Sequence, residues 1–345
     1  MKSSRAALAF HLGAACGLTL AGCAALAAGT YKVPRTAHGH PDLQGMWTNA
    51  TLTPVERPKA LGNKLVLSED EALRMEQRMQ NFAAESDRPS DLSKPLPGGN
   101  VGGYNVFWFD PANKVASVDG ERRSSLIVSP EDGQVPALSE PGQQRLDARI
   151  ARAAGGGFDG PEQRALGERC ILGFGTNSGP PMLPVMYNSN YQIVQSADAV
   201  LIHVEMVHDA RIIRLGGTHP PEQVRKWMGD SVGHWQGDTL VVETTNFNPM
   251  QPIQIGQGAT YRSIPVSPGL KVIERFTRSS QQTIHYEFTV EDPDTFSTPW
   301  RGEIPFHYTS QPIYEYACHE GNYALPGILA GAREQEKAAA AAAKQ

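Results

Sequence analysis

Between residues 187 and 290 the chain alternates apolar and polar side chains in short runs, the period of half-buried strands. Residues 200–208 set Val200, Ile202, Val204 and Met206 against Leu201, His203, Glu205 and Val207, so His203 and Glu205 are expected to share a face. Residues 239–247 alternate again after a tight turn at residues 235–238, placing Leu240, Val242 and Thr244 opposite Val241, Glu243 and Thr245. A hairpin is predicted from residues 271–277 and 282–290. Its second strand turns Ile284, Tyr286, Phe288 and Val290 one way and His285 and Glu287 the other. Residues 104–109 and 124–128 read as further strands, with a turn at residues 130–133. The prolines after His219 forbid regular pairing, so a short helix over residues 222–227 and a loop carrying His219, Asp230, Ser231 and His234 are expected there.

The helical period occurs twice. Residues 68–82 open with Ser68 and Glu71 spaced as a capping box and carry a stripe of Ala72, Met75, Met79 and Phe82. Residues 138–154 begin at Ser139 with Pro141 in the first turn and end at three glycines. The combined pattern predicts a mainly β protein: an antiparallel, barrel-like or strongly curved sheet with two peripheral helices and long irregular arms. Its expected divisions are a leader over residues 1–22, an irregular arm over 23–67, a helical and short-strand segment over 68–165, a β-rich core over 166–331 and a frayed, helix-prone tail over 332–345.

Composition narrows the partners. The formal charge of −5 comes with no basic stripe, which argues against nucleic acid. The first residues combine a basic start, an apolar run and small side chains, the layout of a secretory signal. Leu20-Ala21-Gly22-Cys23 reads as a lipobox that would lipidate Cys23 and anchor the protein to the cell envelope. Ala25-Leu26-Ala27 offers a competing cleavage site that would release it into the periplasm. Cys170 and Cys318 remain as mature cysteines; in an oxidising compartment they pair, the alternative being two separate buried thiols. Neither has the spacing of a zinc site, so no metal is expected. The absence of a glycine-rich phosphate loop or a haem-attachment motif removes nucleotide and covalent haem readings, and no other cofactor is implied.

Four clusters carry candidate chemistry. His203, Glu205, Glu243, His285 and Glu287 either line a cavity as acid, base or ligand groups or form a solvated sheet face. His208, Asp209 and Arg211 follow the strand at what would be a barrel mouth and are the catalytic candidates, although Asp209 and Arg211 also suit a structural ion pair. Gly229-Asp230-Ser231-Val232-Gly233 matches part of a serine-nucleophile motif but lacks its strand–turn–helix context. Glu315, His319 and Glu320 flank Cys318, and a disulfide would bring them towards Arg169, Tyr187 and Tyr191.

Gly45-Met46-Trp47 is weakly similar to the G-x-W of lipocalin-like barrels, where the tryptophan closes the barrel base from the first strand. The segments GERC, GPPMLP, YNSNYQIVQ, EMVHDARII, WMGDSVGHWQGDTLVVETTNF and YEYACHEGNY together resemble a widespread family of uncharacterised secreted bacterial proteins. The resemblance implies export and no particular reaction. The leading expectation is therefore an exported protein that holds an apolar or aromatic small molecule in a β-lined pocket, with His203, Glu205, Tyr187, Tyr191, Trp235, His319 and Glu320 as ligand-binding candidates. A lyase, isomerase or hydrolase using a His/carboxylate pair is the alternative. A structural envelope protein is the third option.

Overall fold

The computed structural model describes residues 31–86, 112–154, 156–173, 178–256 and 261–343. Nine strands close into a barrel: β1 (Gly45–Thr48), β6 (Asn190–Gln195), β7 (Ala199–Val204), β8 (Ala210–Leu215), β9 (Asp230–Gln236), β10 (Thr239–Thr245), β13 (Lys271–Ser280), β14 (Thr283–Glu291) and β15 (Trp300–Tyr308). The order around the barrel is β1-β6-β7-β8-β9-β10-β13-β14-β15, and β15 returns to β1 through Trp47 opposite Tyr308. Every pairing is antiparallel except β8 with β9. Of the remaining strands, β5 (Ile127–Ser129) extends the sheet beside β15. β2 (Val66–Leu67), β3 (Ser117–Val118) and β4 (Glu121–Arg123) form a three-stranded sheet, and β11 (Pro252–Ile255) pairs with β12 (Arg262–Pro265). The expected strand at residues 124–128 is thus divided: its start follows β4 and its end is β5. The expected strand at residues 104–109 lies outside the described residues.

Strand alternation decides what fills the barrel. Val272 and Phe276 on β13, Ile284, Tyr286, Phe288 and Val290 on β14, and Ile304 and Phe306 on β15 are all buried. Their rings pack directly, with Phe276 and Tyr286 centroids 4.9 Å apart and Tyr286 and Phe306 5.1 Å apart. The interior is a close-packed core, filled by the barrel's own side chains. One end is closed by the arm preceding β1. Leu43 is buried there, the Trp47 indole donates to its carbonyl at 3.0 Å, and the Arg278 guanidinium lies 5.4 Å over the Trp47 ring. Towards the other end Pro181, Met182 and Leu183 are buried, the Met182 carbonyl accepting from Asn49 Nδ2 just beyond β1 at 2.9 Å.

Three α-helices among the described residues stand outside. Helix α1 (Glu69–Ser86) has the capping box read from sequence: the Ser68 backbone N–H donates to the Glu71 carboxylate at 2.7 Å and the Glu71 N–H donates to Ser68 Oγ at 3.3 Å. Its apolar stripe fades, however: Ala72 is fully buried against Leu67 and Val115, whereas Phe82 is exposed. Helix α2 (Glu140–Ala154) is capped by Ser139, whose Oγ accepts from the Gly142 N–H at 3.1 Å. Helix α3 (Ala324–Ala342) is exposed along most of its length and begins before the tail boundary expected from composition. No described helix is long and apolar enough to cross a membrane.

Candidate functional site

The stretch richest in candidate residues folds differently from its alternation. Strand β7 ends at Val204, not at residue 208. Glu205 adopts a helical conformation and Val207 a left-handed one at φ 62°, so the chain turns back at once into β8. Alternation continues through a turn because Met206 and Val207 are themselves buried at the barrel end. His203 and Glu205 therefore do not share a strand face. Residues 222–227 form turns and not a helix, and Asp230, Ser231 and His234 belong to β9 and not to a loop.

Inside the barrel lies a buried polar network. Arg211 donates to both carboxylate oxygens of Glu274, at 3.0 and 2.6 Å, and both residues are sealed from solvent. The Tyr286 hydroxyl donates to Glu274 at 2.9 Å and accepts from the Met182 N–H at 2.9 Å. Burial, reinforced by the Glu274 charge, pushes the Tyr286 hydroxyl well above its ordinary pKa. Tyr191 is also enclosed, accepts from Asn49 Nδ2 at 3.2 Å, and has its pKa raised by burial. Arg211 thus pairs with a strand distant in sequence and not with Asp209. Ser231, the motif serine, contacts Thr244 Oγ1 at 2.9 Å and lies 3.5 Å from Arg211, and among the described residues no histidine hydrogen-bonds to it. It is a buried hydroxyl within the core network.

The outward face gives a different picture. His203 on β7 and Glu243 on β10 point away from the core on strands apart from β14, which carries His285 and Glu287 together on its outward face, so the four residues form no common cluster. His285 contacts Glu303 at 3.3 Å, and that hydrogen bond raises its pKa against the opposing effect of burial. A second node joins the crossover loop to β9; the sequence pointed to its His219 and Asp230 but not to its Arg214 and Lys226. The buried Asp230 carboxylate accepts from Arg214 at 3.0 and 2.7 Å, from Lys226 at 2.9 Å and meets His219 Nδ1 at 2.9 Å. The Arg214 hydrogen bonds above all, with those of Lys226 and His219, outweigh burial and hold Asp230 well below the usual carboxylate range. His219 Nε2 lies 3.5 Å from Glu243.

The expected disulfide joins Cys170 to Cys318, with Cα atoms 5.6 Å apart. It fixes residues 313–320 beside β7 and creates an open groove of about 440 Å³. His203 forms one side; Tyr314, Tyr316, His319 and Glu320 contribute to the other. Glu205 supports this wall from behind, its buried carboxylate accepting from the Tyr314 backbone N–H at 3.2 Å and from Asn190 at 2.8 Å. Glu315 also lines the groove, and neither it nor Glu320 forms an ion pair with Arg169 among the described residues.

The sequence-derived candidates therefore separate. His203, His319 and Glu320 meet in the groove, while Arg211 and Tyr191 lie inside the barrel. Tyr187 packs against the core, and Asp209 lines a small cavity at the barrel end. Trp235 lies at the opposite end, stacked on His40 with centroids 5.3 Å apart. The side chain of His208 lies outside the described residues. Among the described residues no group of three or more His, Cys, Asp or Glu side chains is arranged to hold a metal ion. Tyr314 and Tyr316 were visible in the YEYACHE run, but only the disulfide and β7 give them a shared purpose. Comparison with family models, with characterised proteins and with solved structures finds no match.

Proposed function

We propose that this is an exported small-molecule-binding protein whose ligand, apolar or aromatic with a hydrogen-bonding edge, lies in the groove between β7 and residues 313–320. The observation that carries this reading is the groove itself: its volume of about 440 Å³ falls within the range of small-molecule sites, and tyrosines, imidazoles and carboxylates converge on it. The tyrosines supply apolar area with polar tips, while His203, His319, Glu315 and Glu320 can orient a phenol, amine or amide. Export is supported by the N-terminal signal pattern and by a disulfide suited to an oxidising compartment. Attachment through Cys23 and soluble periplasmic release are the two forms this export can take.

The enzymatic alternative draws support from the His219–Asp230 pair. It ranks second because Arg214 and Lys226 already occupy the Asp230 carboxylate, as in a structural clasp. Ligand-observed NMR on the full chain with a panel of phenols, aromatic amines and aromatic acids tests the groove. A bound member should lose affinity by about tenfold or more in Tyr314→Ala and His203→Ala, and Trp235→Ala should leave it unchanged. Absence of any binder, or binding indifferent to both groove variants, refutes the proposal.

A further inference from the structure

A second cavity lies at the barrel end beneath the β7–β8 turn. It is only about 20 Å³ and is bounded by Gly173, Ser178, Gly179, Met206, Met228 and Gln251. That is about the space of one water. Its walls nevertheless have features that simple close packing does not require. Gln251 is 4% exposed and its Oε1 has no hydrogen-bond partner; Ser178 Oγ is also buried without one. Two methionines occupy the surrounding volume, and each fits only because a glycine faces it. A Cβ at Gly173 would stand 2.5 Å from Met206 Cγ, and one at Gly179 would stand 2.5 Å from Met228 Cε. Methionine is unbranched and readily repacks, so both stoppers can turn aside without breaking a hydrogen bond. The turn supplying Met206 holds Val207 at φ 62°, a conformation that β-branched residues rarely adopt and that accumulates at functional sites.

We propose that this cavity is a second ligand site, distinct from the groove, that admits a small neutral alcohol or phenol when Met206 and Met228 swing away. The apolar body replaces the methionine side chains, while the hydroxyl donates to Gln251 Oε1 and accepts from Ser178 Oγ. Charge is disfavoured. Burial in so small a space strips an anion of its water, and Arg211, behind Gly179, is already matched by Glu274 and offers it no compensation. A hydrocarbon lacking the hydroxyl leaves both polar groups unsatisfied and binds less well.

The test uses the full chain labelled at the methionine methyl groups and titrated separately with phenol, toluene and benzoate. Met206→Leu and Met228→Leu assign the two resonances. Phenol should shift both saturably, toluene should bind about tenfold or more weakly, and benzoate should have no effect at these methyls. Gly179→Ala should abolish the phenol response by driving Met228 into the cavity; Gln251→Leu should make phenol and toluene equivalent. Tyr314→Ala should leave the response intact, which separates this site from the groove. If Gly179→Ala fails to fold, Gln251→Leu alone decides. The proposal is overturned if neither methyl responds to phenol, if phenol and toluene bind the wild type equally, or if Gln251→Leu keeps the preference.

Discussion

Ile202 and His203 are neighbours on β7, yet one faces a filled barrel and the other an open groove. The interior contains a buried bidentate ion pair, a tyrosine hydroxyl bonded to it and a serine–threonine pair. By residue type alone that is the more reactive set. It is also closed: Phe276, Phe288 and Phe306 pack around it and are themselves sealed from solvent. The groove has less concentrated chemistry but admits a molecule. The difference teaches that a barrel can use charge to specify its packing while placing recognition on its outer surface, where a covalent tie and not the sheet makes the concavity.

Breaking the interior should have the largest effect. Glu274→Ala leaves the Arg211 guanidinium buried without its carboxylate and should lower unfolding free energy by about 3–5 kcal/mol in denaturant titrations. Replacing both partners with apolar residues of similar size should recover much of that loss. Equal stability of the single and double variants would show that the pair's mutual satisfaction is not what matters. Breaking the tie should come next. Cys318→Ser should cost about 2–4 kcal/mol, and it should abolish groove binding while barrel strand content by circular dichroism persists.

The acid limb offers a smaller, reversible change. Asp230 has a lowered folded pKa, so its stabilisation is complete above the ordinary aspartate range, near pH ~4, and is lost as pH falls from there towards the lowered value. Asp230→Asn should cost about 1 kcal/mol at neutral pH and flatten that part of the stability profile, because Arg214 and Lys226 are partly exposed and solvent weakens their hold. An unchanged acid limb in Asp230→Asn would assign it to other carboxylates. The smallest stability effect is expected in the groove: Tyr314→Ala should alter unfolding free energy by less than about 0.5 kcal/mol, since the side chain is 64% exposed. A larger loss would make Tyr314 part of the fold's support and weaken the contrast between the two faces.

Features written into neighbouring residues were legible in the sequence. The Ser68–Glu71 box, the Ser139 cap and the inward row Ile284, Tyr286, Phe288 and Val290 depend on spacing alone, and each is present. The end of β7 was not legible because Met206 and Val207 keep an apolar rhythm while the backbone turns. Nor was the pairing of Arg211 with Glu274, 63 positions apart. Its trace was a lone glutamate between Val272 and Phe276 on an inward row, a charge that demands a buried cation. The candidate site was legible in part. His203 and His319 could be named, but their meeting depends on the chain path around the barrel and on a link across 148 positions.

The parallel pairing of β8 with β9 has a consequence of parity. Strands that simply alternate up and down can close a ring only in even number; a ring of nine must contain one step in which direction does not reverse. Here that step falls after Leu215, so the chain has to travel back along the outside of the barrel before entering β9 at Asp230. The returning segment carries His219 and Lys226, and both close on Asp230 when it arrives. An even-membered relative could dispense with the return journey, and the clasp would then have nothing to fasten.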